Sequence, residues 1–360
     1  MSSDETGVIE TRGGMTMRAL EKAVTGVLAP TMRPHRRHDH RLSSCLSAIA
    51  IAVASVCGSG ATGAAESSAW PARSVRFIVP FAPASGTDIT ARLFADRLSA
   101  RWGKPIVIEN RPGGDGLVAI NAFTGAANDH VLLFVPVGTF AVHPYVQDKV
   151  PYDAERDLLP IASFTTLFLA VSTSTSLKVN SVADFVALAR AQPGQLNAAA
   201  TAGGAEFLLA GFLRASGLDV VRVPYRDILQ APNDMAEGRL SLAITSLAVA
   251  QPHMQAGRVR VLAVTSRQRA PSAPDVPTAA QAGFPSLELE SLVGLFGPRG
   301  MPIELREQIA DAVRQVGADP AVGARLAATG QVVDVRGPRD FAAGVEDQRS
   351  RLAAIARLIR

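Results

Sequence analysis

From Val75 onward, short apolar runs alternate with stretches of helical periodicity. Residues 75–79 (V-R-F-I-V) read as a buried strand that Pro80 ends. Residues 88–101 then carry Ile89, Leu93, Phe94 and Leu98 on one helical stripe. Residues 106–108 and 131–135 read as the next two strands, with a helix over 116–126 between them. The same grammar recurs in the middle of the chain. Helices are expected over 181–191, 205–216, 228–237 and 248–256, and strands over 197–200, 220–223, 240–245 and 259–264. Ser181 with Asp184 three residues later has capping-box spacing, with Asp in the usual Glu place. The last section is more helical, over 303–316, 321–328 and 341–359. Pro271, Pro274 and Pro277 mark a rigid surface loop before it. Strands alternating with helices argue for an α/β fold with parallel sheet.

The N-terminus follows other rules. Residues 33–41 read R-P-H-R-R-H-D-H-R, an uncharged stretch runs from Leu42 to Cys57, and small residues follow to Ala65. A basic flank, an apolar stretch and a small-residue region are the parts of a secretory leader. The apolar stretch, about 16 residues, is short against the roughly 20 that cross a bilayer. Residues 1–65 are therefore expected to be a leader, cut near Ala65 or Ala69, which directs export of the rest. Ala54-Ser55-Val56-Cys57 approaches a lipid-anchor box, but Val56 stands where Gly or Ala is wanted. Both cysteines, Cys45 and Cys57, lie in this segment. A mature chain without them has no disulfide and no thiolate metal site.

Composition narrows the function classes. Of 360 residues, 48% are hydrophobic and 19% charged, and the net charge is +4. Residues 1–65 hold seven basic and five acidic groups, so the remainder carries +2. Such a balance argues against nucleic acid as a partner. After residue 66 there is no H-E-x-x-H, no G-x-S-x-G and no phosphate-binding G-x-x-x-x-G-K-[ST]. His130, His143 and His253 lack ligand spacing and read as surface or loop residues. Gly113-Gly114-Asp115-Gly116 lacks dinucleotide spacing and reads as a turn. No catalytic residue, metal or cofactor is expected.

Three small-residue loops stand at the C-terminal ends of expected strands: residues 80–88 (P-F-A-P-A-S-G-T-D), Gly138-Thr139, and residues 201–205 (T-A-G-G-A). Open α/β sheets bind ligands at such loops. Small residues let backbone N–H groups reach a ligand, and a helix start adds about half a positive charge. The first and third loops open helices, so together the loops can hold an anion without Arg or Lys.

Six pieces, in order, carry a wider likeness: V-R-F-I-V-P-F-A-P-A-S-G-T-D-I-T-A-R from Val75, E-N-R-P-G-G-D-G from Glu109, V-P-Y-D-A-E-R-D from Val150, V-P-Y-R from Val223, P-H-M-Q-A-G-R-V-R-V-L-A-V-T-S from Pro252, and A-P-D-V-P-T-A-A-Q-A-G-F-P from Ala273. In these the chain resembles the Bug-type extracytoplasmic solute receptors of tripartite tricarboxylate transporters. The resemblance implies a type II, two-domain Venus-flytrap fold, with mixed sheets flanked by helices and a ligand cleft between lobes. Lobe 1 is expected over 70–171 with 290–360, and lobe 2 over 172–289. It further implies a periplasmic receptor that captures a small organic carboxylate and presents it to membrane permease subunits or to a sensor protein. The altered loops leave a degenerate receptor that no longer binds as the alternative, and a monomer is expected. Carried over by position, the site comprises Phe81, Ala84, Ser85, Gly86, Thr87 and Asp88 in the first loop, then Gly138 and Thr139. Thr201, Gly203, Gly204 and Ala205 follow in the second-lobe loop, with Tyr225 and Thr245 beyond. This chain departs from the family at several places. Ala84-Ser85-Gly86 stands where two glycines are usual, Phe140 where a His is frequent, and Asp227 replaces a Gly. Phe140, Phe207 and Leu208 suggest a ligand with a more apolar body.

Overall fold

The computed structural model describes residues 70–359. The leader, its cleavage region and both cysteines lie outside the described residues. Within them, eleven strands form two mixed sheets, with helices on their faces.

The first sheet collects β1 (Val75–Val79), β2 (Ile106–Asn110), β3 (Val131–Pro136), β4 (Leu159–Leu167), β10 (Ser291–Gly297) and β11 (Gln331–Val333), in the order β11-β4-β10-β3-β1-β2. Strands β1, β2 and β3 are parallel, as the strand–helix alternation requires. Strand β10 runs antiparallel to both β3 and β4, and β11 antiparallel to β4. The second sheet collects β5 (Leu169–Ser174), β6 (Asn197–Ala200), β7 (Val221–Arg222), β8 (Leu242–Ser246) and β9 (Val259–Val264), in the order β7-β6-β8-β5-β9. Strand β6 is parallel to β7 and β8, while β5 is antiparallel to β8 and β9. The chain changes sheets twice, at Phe168 and between Val264 and Ser291.

Both sheets are thus mixed, where alternation alone predicts parallel ones. Every antiparallel pairing involves a strand that the apolar pattern does not mark: β4, β5, β10 or β11. Strands β4 and β5 bury Ser163, Thr165, Ser172 and Thr173 completely, so their sequences read as polar. Strand β10 carries Gly294 within S-L-V-G-L-F-G. A Cβ there would meet the Phe341 ring and the Ala162 carbonyl, so glycine lets the C-terminal helix lie flat on β10.

The long helices match their stripes. Helix Gly86–Trp102 buries Leu93, Phe94 and Leu98, and Gly103 ends it at φ 62°. Phe94 packs edge-on against Phe164 at 4.7 Å between ring centroids, and Phe164 against Phe134 at 4.9 Å. Ser181 caps helix Val182–Ala191 by accepting the Asp184 N–H at 3.0 Å. The Asp184 carboxylate takes the N–H of Asn180, one residue earlier than in a capping box. Helix Pro338–Ile359 packs on both halves of the molecule, touching β4 and β10 on one side and helix Gly204–Ala215 on the other. Gly211 makes room there, since a Cβ would stand 2.6 Å from Cγ2 of Ile355.

Candidate functional site

A cavity of about 580 Å³ lies between the two sheets, within the range typical of small-molecule sites. Its walls are strand ends and helix starts from both halves.

The first loop is held by one buried carboxylate. Asp88 accepts the Ala84 N–H at 2.9 Å, Arg92 Nε at 3.0 Å and Asn110 Nδ2 at 2.9 Å. Burial alone would raise its pKa. The bonds from Arg92, Asn110 and Ala84 outweigh that and hold it below the ordinary value. Asn110 Nδ2 also reaches the Phe81 carbonyl at 2.9 Å, tying the loop to the end of β2. Ala84 is forced to φ 66°, a left-handed conformation that glycine adopts freely. Ser85 caps the helix by accepting the Asp88 N–H at 3.3 Å, leaving its O–H free to donate. Gly86 and Thr87 occupy the first helical positions, whose N–H groups have no intrahelical partner.

The second-half loop is built alike. Gly203, at φ 90°, precedes helix Gly204–Ala215, and Gly204 and Ala205 bring first-turn N–H groups to the cavity. Thr201 is fixed by its N–H to the Ile244 carbonyl at 3.0 Å, and its own carbonyl accepts the Glu206 N–H at 3.1 Å. The two halves touch at these loops. A Cβ on Gly138 would stand 3.2 Å from Cα of Gly204, and one on Gly203 would stand 3.0 Å from Cα of Thr139. On another side, a Cβ on Gly86 would stand 3.2 Å from Oγ of Ser246.

Ten of the fourteen residues expected at the site line the cavity: Phe81, Ser85, Gly86 and Thr87; Gly138 and Thr139; Thr201, Gly204 and Ala205; and Tyr225. Four do not. Ala84 and Asp88 shape the first loop from outside, Gly203 turns the second, and Thr245 is fully buried in β8 while its neighbour Ser246 faces the cavity. Tyr225 has no proton left to donate to a ligand, because its hydroxyl donates to Asp234 at 2.5 Å. Burial first, and then that carboxylate, push the phenol up to about 12.

The apolar trio is corrected as well. Phe140 packs edge-on against Phe296 at 5.2 Å, Phe207 stacks on Tyr145 at 5.7 Å, and Leu208 is core; none lines the cavity. Its apolar walls come instead from Leu167, Leu169, Leu209, Val223, Val249 and Leu289.

Charge is present where the loops alone suggested none. Arg222 and Arg226 face the cavity together with Asp115, Glu206 and Asp227, so neither sign dominates. Burial, and then the nearby Asp115, raise the Glu206 pKa, with Arg222 opposing. The G-G-D-G segment, read from sequence as a turn, is one, and it also lines the cavity. Asp115 sits there at φ 53°. Its backbone is held by His143, which is fully buried rather than a surface residue. His143 Nε2 donates to the Asp115 carbonyl at 3.0 Å, so Nδ1 accepts from the Tyr152 hydroxyl at 2.6 Å. Burial lowers the His143 pKa, against the Asp115 carbonyl and charge. Ser246, Ser291 and Gln348 complete the polar lining. Ser246 belongs to the Thr245-Ser246 pair that stands where the family frequently has an acidic or amide residue, and no sequence motif marks Ser291 or Gln348. Among the described residues no three His, Cys, Asp or Glu side chains group as metal ligands, and no helix is long and apolar enough to cross a membrane.

Residues 90–359 match the family described as tripartite tricarboxylate transporter family receptor. The chain belongs to this family. Among Bug-type relatives, protein BugT of Bordetella pertussis (strain Tohama I) is 27% identical over 320 residues, covering 88% of this chain and 97% of that protein. MatC (Rpa3494) from Rhodopseudomonas palustris, solved with bound malate, superposes with a TM-score of 0.74 at 28% identity, over 80% of this chain and all of that one. Rpa4515 of R. palustris, solved with adipate, superposes with a TM-score of 0.73 at 29% identity, over 81% of this chain and 98% of that one. The receptor is therefore a periplasmic-binding-protein fold with two mixed sheets, as its family likeness in sequence implies.

Two outcomes test how the receptor's loops are held. Ala84→Gly relieves a left-handed alanine costing about 1–2 kcal/mol, offset by roughly 0.5–1 kcal/mol of glycine entropy. Its melting temperature is expected to rise, by up to roughly 4 °C. A lower value in thermal unfolding would contradict a strained Ala84. The His143 pKa is lower folded than unfolded, so its contribution is full above pH 6.5 and fades as pH falls below it. His143→Phe orphans the Tyr152 hydroxyl and the Asp115 carbonyl, at a cost of about 1–3 kcal/mol at pH 7.5. The gap to wild type should narrow by pH 5, and a gap that holds or widens contradicts the assignment.

Proposed function

We propose that this receptor captures a small aliphatic dicarboxylate in the periplasm and delivers it to the permease subunits of a tripartite transporter. The observation that carries this reading is the pairing of two helix starts across one cavity. Gly86 and Thr87 from one half and Gly204 and Ala205 from the other present unpaired N–H groups. Each helix start favours negative charge, and two of them suit an anion with two charged ends. The hydroxyls of Ser85 and Thr87 add donors at the first. Leu167, Leu209 and Val249 supply an apolar wall for the carbon chain between. Malate and adipate, bound by two similar proteins, have this chemistry. With two Arg against three acidic residues on the wall, a carboxylate is held by local donors rather than by a broad positive field.

The action is binding without covalent chemistry. The protein works as two lobes that close by hinge motion on a ligand touching both. Because β5 (Leu169–Ser174) belongs wholly to the second sheet, the lobes are drawn as 70–168 with 290–360 and 169–289, rather than with the break at 171 expected from sequence. It acts as a monomer, with neither metal nor cofactor, after residues 1–65 have directed export.

Calorimetry with malate, succinate and adipate tests this reading. Ser85→Ala with Thr87→Ala removes the two hydroxyls of the first loop. The double variant should still fold, losing about 1 kcal/mol with the cap, while its affinity falls about tenfold or more. Unaltered affinity would remove the first loop from the site.

A further inference from the structure

The C-terminal helix contributes one polar side chain to the cavity wall that neither motif nor family likeness marks. Gln348 stands on the face of helix Pro338–Ile359 that buries Phe341, Leu352, Ile355 and Ala356. It is only 4% exposed, yet its Oε1 has no hydrogen-bond partner. It lines the cavity at the seam between the halves. Its Nε2 lies 3.3 Å from where a Cβ of Gly138 would stand, and the same point is 3.2 Å from Cα of Gly204. A buried amide oxygen without a partner is costly, and native proteins rarely keep one. Leucine would fill the same helix position with no such cost.

We propose that Gln348 is a ligand-contacting residue, its carboxamide hydrogen-bonding a polar end of the bound dicarboxylate at the seam between the two halves. The proposal rests on the dicarboxylate reading above. A carboxamide turns about its last torsion at little cost, so Nε2–H can donate to a carboxylate and Oε1 can accept from a ligand hydroxyl. The residue therefore suits acids with or without a hydroxyl beside the carboxylate. Because its helix packs on both halves, the contact forms where the cavity closes.

The roles separate experimentally. A structural Gln supports the empty protein, whereas an unpartnered one burdens it. The test is calorimetry with malate, succinate and adipate, with thermal unfolding of the ligand-free protein, for wild type, Gln348→Leu and Gln348→Glu. Gln348→Leu should bind the preferred acid about tenfold to a hundredfold more weakly, while its ligand-free melting temperature stays level or rises. Gln348→Glu keeps the shape and sets a like charge against the ligand. Its binding should be lost at pH 8 and partly return at pH 5. Wild-type affinity in Gln348→Leu overturns the proposal. So does a fall in ligand-free melting temperature in both variants with binding by Gln348→Glu that does not depend on pH. If wild type binds none of the three acids, the dicarboxylate reading itself fails, and this proposal with it.

Discussion

The cavity exists because the two halves meet backbone to backbone. Gly138 faces Gly204, and Gly203 faces Thr139, at separations that leave no room for a Cβ. Gly86 approaches Ser246 almost as closely on another side. These contacts bring two helix starts from different sheets to one space and point their free N–H groups into it. Side chains at these places would push the halves apart by a few tenths of an ångström or more. Donors spread over a wider gap would no longer converge on one small anion.

Around that seam, polar side chains serve mostly to fix backbone. Asp88 spends its carboxylate on Ala84, Arg92 and Asn110, and so holds the first loop in place. His143 and Tyr152 hold the backbone of Asp115 from behind. Tyr225 is committed to Asp234. The polar groups left on the cavity wall are thus main-chain N–H, the hydroxyls of Ser85, Thr87, Thr139, Thr201, Ser246 and Ser291, the amide of Gln348, and a mixed set of charges in which Arg222 and Arg226 meet Asp115, Glu206 and Asp227. This division explains why no cluster of charged or catalytic residues announces the site in the sequence.

Much of the fold was legible in the pattern of apolar positions. Strands β6 and β9 fall where alternation puts them, and the long helices lie within a few residues of their stripes. The antiparallel strands were hidden because β4 and β5 bury serine and threonine, and β10 carries a glycine for the helix lying on it. Loops were legible through small residues at strand ends, and ten expected residues do face the cavity. What escaped depends on distant contacts. Nothing local tells that Phe140 packs on Phe296, that Thr245 points away while Ser246 points in, or that a glutamine near the C-terminus reaches the seam. The G-G-D-G turn was found but undervalued, since its place beside Glu206 and Arg222 is set by the other half of the molecule.

The central claim is that paired helix starts hold an anion through main-chain donors. Its most direct test is calorimetry of the wild-type receptor with malate, succinate and adipate, each beside its neutral diamide of nearly the same shape. Hydrogen bonds to an ionised acceptor are roughly twice as strong as neutral ones. The tightest diacid should therefore bind at least about tenfold better than its diamide. Equal affinity for acid and diamide, or binding of neither, would contradict the account.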